Sequence, residues 1–193
     1  MYMKTIKNIL FLGYTRDETT LIKFLEKKGF NIACISDKSF DPEVYDLIIS
    51  FGYRHIIKES IIKKSPRIIN LHISLLPFNR GAHPNFWSHY DNTPSGVTIH
   101  LIDKGIDTGQ YLFQREVKID TYSLSFRDSH RILVENIESL FKENYKEILD
   151  PELQSYPYNG KGTHHNSSDL PKEFSGWDSN IFKEIKRLKM GDS

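Results

Sequence analysis

Apolar runs spaced by helical and turn residues confine the first 72 residues of this chain to a narrow choice of folds. Lys7–Gly13 (KNILFLG) is an apolar run ended by glycine and reads as a buried strand. Leu21, Ile22, Phe24 and Leu25 then recur at helical spacing, with Asp17 as the candidate cap and Gly29 as the stop. Phe30–Ser36 (FNIACIS) is a second apolar run. Strand, helix and strand within about 30 residues form a βαβ unit, which calls for a parallel sheet and a right-handed crossover. Tyr45–Phe51 supplies a third strand, Lys58–Lys64 a short helix and Arg67–His72 a fourth strand.

Beyond residue 72 the period changes. Gly96–Ile102 and Tyr111–Ile119 alternate apolar and polar residues, as half-buried antiparallel strands do, around a glycine-bearing loop at Lys104–Gln110. Ile132, Leu133, Ile137, Leu140 and Phe141 make Leu124–Leu149 one amphipathic helix. Pro, Gly, Asn, Ser and His dominate from Asp150 to Asp169, and Ser179–Leu188 reads as a last short basic helix. The expected fold is α/β, a Rossmann-like open twisted sheet, mostly parallel, with antiparallel strands in the C-terminal half and helices on both faces. Residues 1–150 form the expected main domain and residues 151–193 a C-terminal extension.

Composition removes whole classes of function. At 193 residues a chain buries roughly 70% of its unfolded surface, so it needs no staples. Cys34 is the only cysteine, which rules out an intramolecular disulfide or a thiolate zinc site, and no HExxH-type metal spacing occurs. A formal net charge of +1 gives no sign of the clustered cations that nucleic-acid binding requires. No run approaches the ~18 apolar residues of a membrane span, and the segment after Met1–Asn8 is too short for a signal peptide. A cytoplasmic protein is the expectation.

The fourth strand ends in Asn70-Leu71-His72-Ile73-Ser74-Leu75-Leu76-Pro77. Open α/β sheets bind ligands outside the carboxyl ends of their strands, and residues two apart on a strand share a face. Asn70 and His72 therefore point together into the expected crevice, where amide and imidazole can hold a carbonyl oxygen as it becomes an oxyanion. A lone histidine at a strand end is more often only a cap. Here it is followed by Pro77, Arg80, Gly81 and Pro84 in a Leu-Leu-Pro-x-x-Arg-Gly-x-x-Pro run, and later by Gly105-Ile106-Asp107-Thr108-Gly109.

In that order, from about Tyr45 to Val117, these segments resemble the folate-dependent formyltransferases. That family includes glycinamide ribonucleotide formyltransferase, the formyltransferase domain of methionyl-tRNA formyltransferase and the sugar N-formyltransferases. The resemblance implies catalytic roles for Asn70, His72 and Asp107, with N10-formyltetrahydrofolate as formyl donor and no metal. Asn70 would donate to the formyl oxygen, His72 would add a second hydrogen bond, and Asp107 would orient His72 and take the proton leaving the amine. It also implies a pterin pocket from Phe51, Gly52, Tyr53, Arg54, His55 and Ile56, from Ser74, Leu75 and Leu76, and from Gly105 and Ile106.

The acceptor amine is narrowed by three departures. The loop after the first strand is Gly13-Tyr14-Thr15-Arg16-Asp17, too bulky and too acidic for the phosphate cradle of the glycinamide ribonucleotide enzyme. Residues after Asp150 are too few for the barrel of the tRNA enzyme. The stretch between the second and third strands is short. Together these resemble the sugar N-formyltransferases of surface-polysaccharide pathways, which act on a nucleotide-linked amino sugar. Acceptor contacts then fall to Arg80, Gly81, His83, Pro84 and Trp87, and to Thr163 and His164 in the Gly160–His165 segment. Trp87 has the competing reading of an inward-packing helix residue. A homodimer through the 124–149 helix or the tail fits the family. A formyl-folate hydrolase or a folate-binding remnant would share the same three site residues.

Overall fold

The structure is a computed structural model that describes residues 6–191; the ends of both expected regions, residues 1–5 and 192–193, lie outside the described residues, as does most of the N-terminal segment weighed as a leader. In chain order the elements are β1 (Asn8–Gly13), α1 (Leu21–Lys27), β2 (Asn31–Ile35), β3 (Leu47–Phe51), α2 (Glu59–Ile62), β4 (Ile68–His72), β5 (Arg80–Gly81), α3 (Pro84–Tyr90), β6 (Gly96–Leu101), β7 (Tyr111–Glu116), α4 (Phe126–Ile148), β8 (His164–His165) and α5 (Ile181–Met190). Six strands form one sheet in the order β2-β1-β3-β4-β6-β7, and β5 pairs with β8 in a separate two-stranded ladder. β1 to β4 are parallel, whereas β6 and β7 run antiparallel, as the change of period requires.

Alternation along the strands explains the layers. Ile9 and Phe11 of β1, with Leu47 and Ile49 of β3, meet α1 and α4 on one face through Leu21, Leu25, Leu133, Ile137 and Phe141, all essentially fully buried. Leu10, Leu12, Ile48 and Ile68 face the other way, where Ile57 and Ile62 around α2 cover them. A third cluster, Phe86, Trp87, Phe126 and Ile181, ties α3, α4 and α5 together. Among the described residues no helix is long and apolar enough to cross a membrane.

The start of α1 differs from expectation. Asp17 does not cap it. The N-cap position is Thr20, with no side-chain cap of its own, and the Thr20 N–H donates 3.0 Å to the buried carboxylate of Glu138 on α4. Glu138 also accepts from the Thr19 hydroxyl at 2.6 Å and from the Thr20 hydroxyl. A carboxylate supplied from 118 residues away replaces the local cap, which local sequence cannot reveal. α4 carries its own capping box, with the Ser125 hydroxyl and Asp128 carboxylate serving each other's backbone N–H.

Burial depresses the His89 imidazole to about 4, so His89 is neutral in the fold and charges readily once unfolded. A folded value below the unfolded 6.5 means stability is full above that value and is lost as pH falls towards about 4. Replacing His89 with Leu is expected to flatten this acid loss by roughly 2 kcal/mol between pH 6.5 and 4. Chemical denaturation of both proteins across that range is the check; parallel pH profiles would contradict it.

Candidate active site

The order of the sheet fixes where a ligand can sit. β1 lies between β2 and β3, so connections leave the carboxyl ends of β1 and β3 in opposite directions and open a crevice there. A cavity of about 890 Å³ occupies this place. Its walls come from Tyr14 after β1, residues 50–57 at the end of β3, Asn70 and His72 on β4, residues 103–108 between β6 and β7, and residues 164–167.

Asn70, His72 and Asp107 converge at its floor. β4 and β6 place Asn70 directly opposite His100, so the two side chains share a face. The Asn70 amide nitrogen lies 3.2 Å from both Asp107 Oδ1 and His100 Nε2. His100 Nδ1 is 2.8 Å from the Leu101 carbonyl, which only accepts, so Nδ1 carries the hydrogen and Nε2 accepts from Asn70. Both amide hydrogens of Asn70 are thus committed within the site. Asp107 reaches it from a backbone with φ of 50°, a left-handed conformation that side chains rarely adopt and that functional sites tolerate. The Asp103 carboxylate holds the loop shut, accepting from the Gly105 N–H at 3.0 Å and the Thr108 hydroxyl at 2.5 Å.

His72 is oriented differently from expectation. Its Nδ1 stands 3.6 Å from Asp107 Oδ2, beyond hydrogen-bond reach, while Nε2 lies 3.1 Å from the backbone carbonyl of Asn79. The carbonyl can only accept, so Nε2 carries the hydrogen, and Asn79 rather than Asp107 sets the tautomer. Burial pushes the His72 pKa down, opposed by Asp107 and assisted by His100, and the neutral ring presents a lone pair at Nδ1. His72 in this state is an acceptor; it becomes a donor only by gaining a proton. For Asp107, burial would raise the carboxyl, but the charge that His72 or His100 carries when protonated, together with the Gly81 N–H 2.8 Å from Oδ2 and the Asn70 amide 3.2 Å from Oδ1, outweighs it and holds the group well below the usual carboxylate range.

Of the residues expected at the pterin pocket, Phe51 to Ile56, Gly105 and Ile106 line the cavity. Ile56 is 81% exposed and Ile106 44%, apolar groups at the mouth that a flat heteroaromatic ring would cover. Ser74, Leu75 and Leu76 do not line it. The Ser74 hydroxyl turns to the Phe78 carbonyl, Leu76 is buried, and Leu75 packs beside Gly96, because Thr98 of β6 and Gln114 of β7 hold the Ser74 and Leu76 backbone.

On the expected acceptor side, Gly81, His83, Pro84 and His164 line the cavity, but Arg80, Trp87 and Thr163 do not. The Arg80 guanidinium lies over the Tyr158 ring. Trp87 is 5% exposed and stacks on the His165 ring at 3.8 Å, so its inward-packing reading holds. The Thr163 hydroxyl is spent on Asn79. The wall also holds His165 of the Gly160–His165 segment, and His100, Asn166 and Ser167, which local sequence does not single out. His100 sits in an ordinary alternating strand, and only its register opposite Asn70 marks it. Among the described residues no group of three or more His, Cys, Asp or Glu side chains is placed to hold a metal ion.

An amide donor, two imidazoles and a depressed carboxylate at the carboxyl end of a Rossmann-like sheet define a site for acyl chemistry on small ligands. The chain belongs to the formyl transferase family, whose profile matches residues 22–140. It is 34% identical over 151 residues to the dTDP-4-amino-4,6-dideoxyglucose formyltransferase of Mycobacterium bovis, covering 78% of this chain and 58% of that protein. It is also 38% identical over 97 residues to the methionyl-tRNA formyltransferase of Solibacter usitatus, covering 49% and 31%. The chain thus spans well under two thirds of the length of these curated relatives. Among solved structures it is similar to the formyltransferase PseJ from Anoxybacillus kamchatkensis in complex with UDP-4,6-dideoxy-4-formamido-L-AltNAc and tetrahydrofolate. That likeness has a TM-score of 0.84 and 38% identity, and covers 92% of this chain and 97% of that one.

Because Asp107 raises the His72 pKa against burial, Asp107→Asn is expected to push it lower still. Imidazole titration followed by NMR reads this directly. An unchanged or raised value would mean that the carboxylate does not act on His72.

Proposed function

We propose that this protein transfers a formyl group from N10-formyltetrahydrofolate to the primary amine of a nucleotide-linked amino sugar, as part of surface-polysaccharide synthesis. The observation that carries the reading is the convergence of Asn70, His72 and Asp107 on one cavity at the carboxyl end of the sheet, in a chain alike over nearly its whole length to PseJ. The apolar mouth at Ile56 and Ile106 and the loop 51–57 suit a pterin ring, and the formyl-folate supplies the activated carbonyl.

The amine nitrogen attacks the formyl carbon, the bond from that carbon to the folate N10 breaks, and the proton lost by the amine ends on N10. Asp107, ionised at neutral pH, accepts the amine proton at Oδ2, the oxygen that faces His72 Nδ1. His72 Nδ1 and Asp107 Oδ2 are both acceptors, so an N–H entering between them has two partners. As Asp107 takes the proton, its hold on the Asn70 amide weakens, and that N–H turns to the oxygen that gains negative charge. His100 keeps the other amide hydrogen and so keeps the amide from flipping.

Two features favour a sugar nucleotide over a ribose phosphate held at the β1–α1 turn. The Glu18 carboxylate already accepts the Thr15 N–H and hydroxyl, both at 2.9 Å, and Glu138 occupies the start of α1. The protein's own anions fill the place where a phosphate cradle would stand. On the opposite wall His83, His164 and Asn166 offer ring and amide groups to sugar hydroxyls or a diphosphate, with the C-terminal extension closing that side.

The test is tetrahydrofolate release from formyl-folate with a panel of dTDP- and UDP-linked amino sugars. Release is expected only with a matching acceptor and a formamide product, and Asn70→Ala is expected to lower kcat by about 10²–10³. Release that ignores every acceptor would point to hydrolysis and sink the transferase reading.

A further inference from the structure

The catalytic groups are held by a short strap, residues 77–82, and the strap is held by the C-terminal extension. Asn79 gives its carbonyl to His72 Nε2, and Gly81 gives its N–H to Asp107 Oδ2. The same strap is bound along its length by residues 162–165. The Thr163 N–H donates to the Pro77 carbonyl at 3.2 Å, the Thr163 carbonyl accepts from the Arg80 N–H at 3.0 Å, and the His165 carbonyl accepts from the Ala82 N–H at 2.9 Å.

Two glycines make this approach possible. A Cβ on Gly162 would stand 2.0 Å from the Pro77 carbonyl oxygen, and one on Gly81 would stand 2.3 Å from that of His165, at a φ of +86°. Beyond the contact, His165 is locked by its stack on Trp87 and by Asp91, whose carboxylate lies 2.8 Å from Nε2.

Asn79 is the weak link that needs this support. It is fully buried and sits at a φ of 58°, a left-handed conformation that asparagine tolerates but that its neighbours must hold in one geometry. Thr163 imposes it. Its hydroxyl accepts from the Asn79 N–H at 2.7 Å and donates to the Asn79 side-chain oxygen at 3.2 Å, gripping both ends of the residue whose carbonyl fixes the His72 ring. We infer that Thr163 is a positioning residue for formyl transfer, acting through Asn79 to set the tautomer and orientation of His72.

The inference rests on the formyltransferase reading for its kinetic arm only. In ligand-free protein, nitrogen-15 NMR of the imidazoles, with His72 assigned by difference from a His72→Gln spectrum, reads the tautomer directly. Wild type is expected to show the Nε2–H form. Thr163→Val keeps the shape but removes the hydroxyl, and is expected to mix the two tautomers and to lower kcat by roughly 10- to 100-fold with the KM for formyl-folate nearly unchanged. Thr163→Ser keeps the hydroxyl and is expected to restore both readouts. If the valine protein does not unfold cooperatively, Thr163→Ala replaces it. A Val or Ala protein with wild-type kcat overturns the inference. So does one with lowered kcat and an unaltered His72 tautomer, since the loss would then be general loosening. Failure of the transferase reading would show separately, as wild-type protein inactive with every acceptor while the tautomer arm still reports.

Discussion

The Asp107 carboxylate is the interaction on which the rest of this site depends. It is a side chain only 14% exposed, carried on a strained backbone, and it stays ionised because N–H donors hold both of its oxygens. Asn70 and Gly81 donate to it, and two imidazoles face it across 3.4 and 3.6 Å. These four neighbours come from three elements: Asn70 and His72 from β4, Gly81 from the strap and His100 from β6. The sheet order, the antiparallel register of β6 and the strap are all needed to bring one anion and its partners together. A buried anion without them would be neutralised or expelled.

Much of this was legible in the sequence. The apolar runs of β1, β3 and β4 are unambiguous because a central parallel strand is buried on both faces, and the βαβ rule then leaves few topologies. The period change at Gly96 marks the antiparallel strands, and the spacing of Asn70 and His72 places both on the crevice face. What sequence could not show is contact across long separations. Glu138 capping α1, His100 opposite Asn70, and the two-residue ladder of β5 with β8 leave no periodic trace. The ladder is invisible because two residues define no period.

Trp87 and Thr163 are residue types suited to sugar recognition, and local sequence offers that role readily. In the fold their polar and aromatic surfaces are already occupied, Trp87 by His165 and Thr163 by Asn79. Ser74 to Leu76 follow β4 so closely that they are drawn to the pocket by proximity in sequence, yet Phe78, Thr98 and Gln114 hold them away from it. Near-neutral charge fits the proposed acceptor, since the wall that carries His83, His164 and Asn166 is made of histidines and amides rather than a field of lysines.

In the proposed reaction Asp107 and His72 jointly receive the attacking amine. A crystal structure with tetrahydrofolate and an amino-sugar nucleotide bound tests it most directly. The sugar amine is expected between His72 Nδ1 and Asp107 Oδ2, within about 3.2 Å of the carboxylate oxygen. An amine seated elsewhere in the cavity, with no path to Asp107 Oδ2, would contradict it.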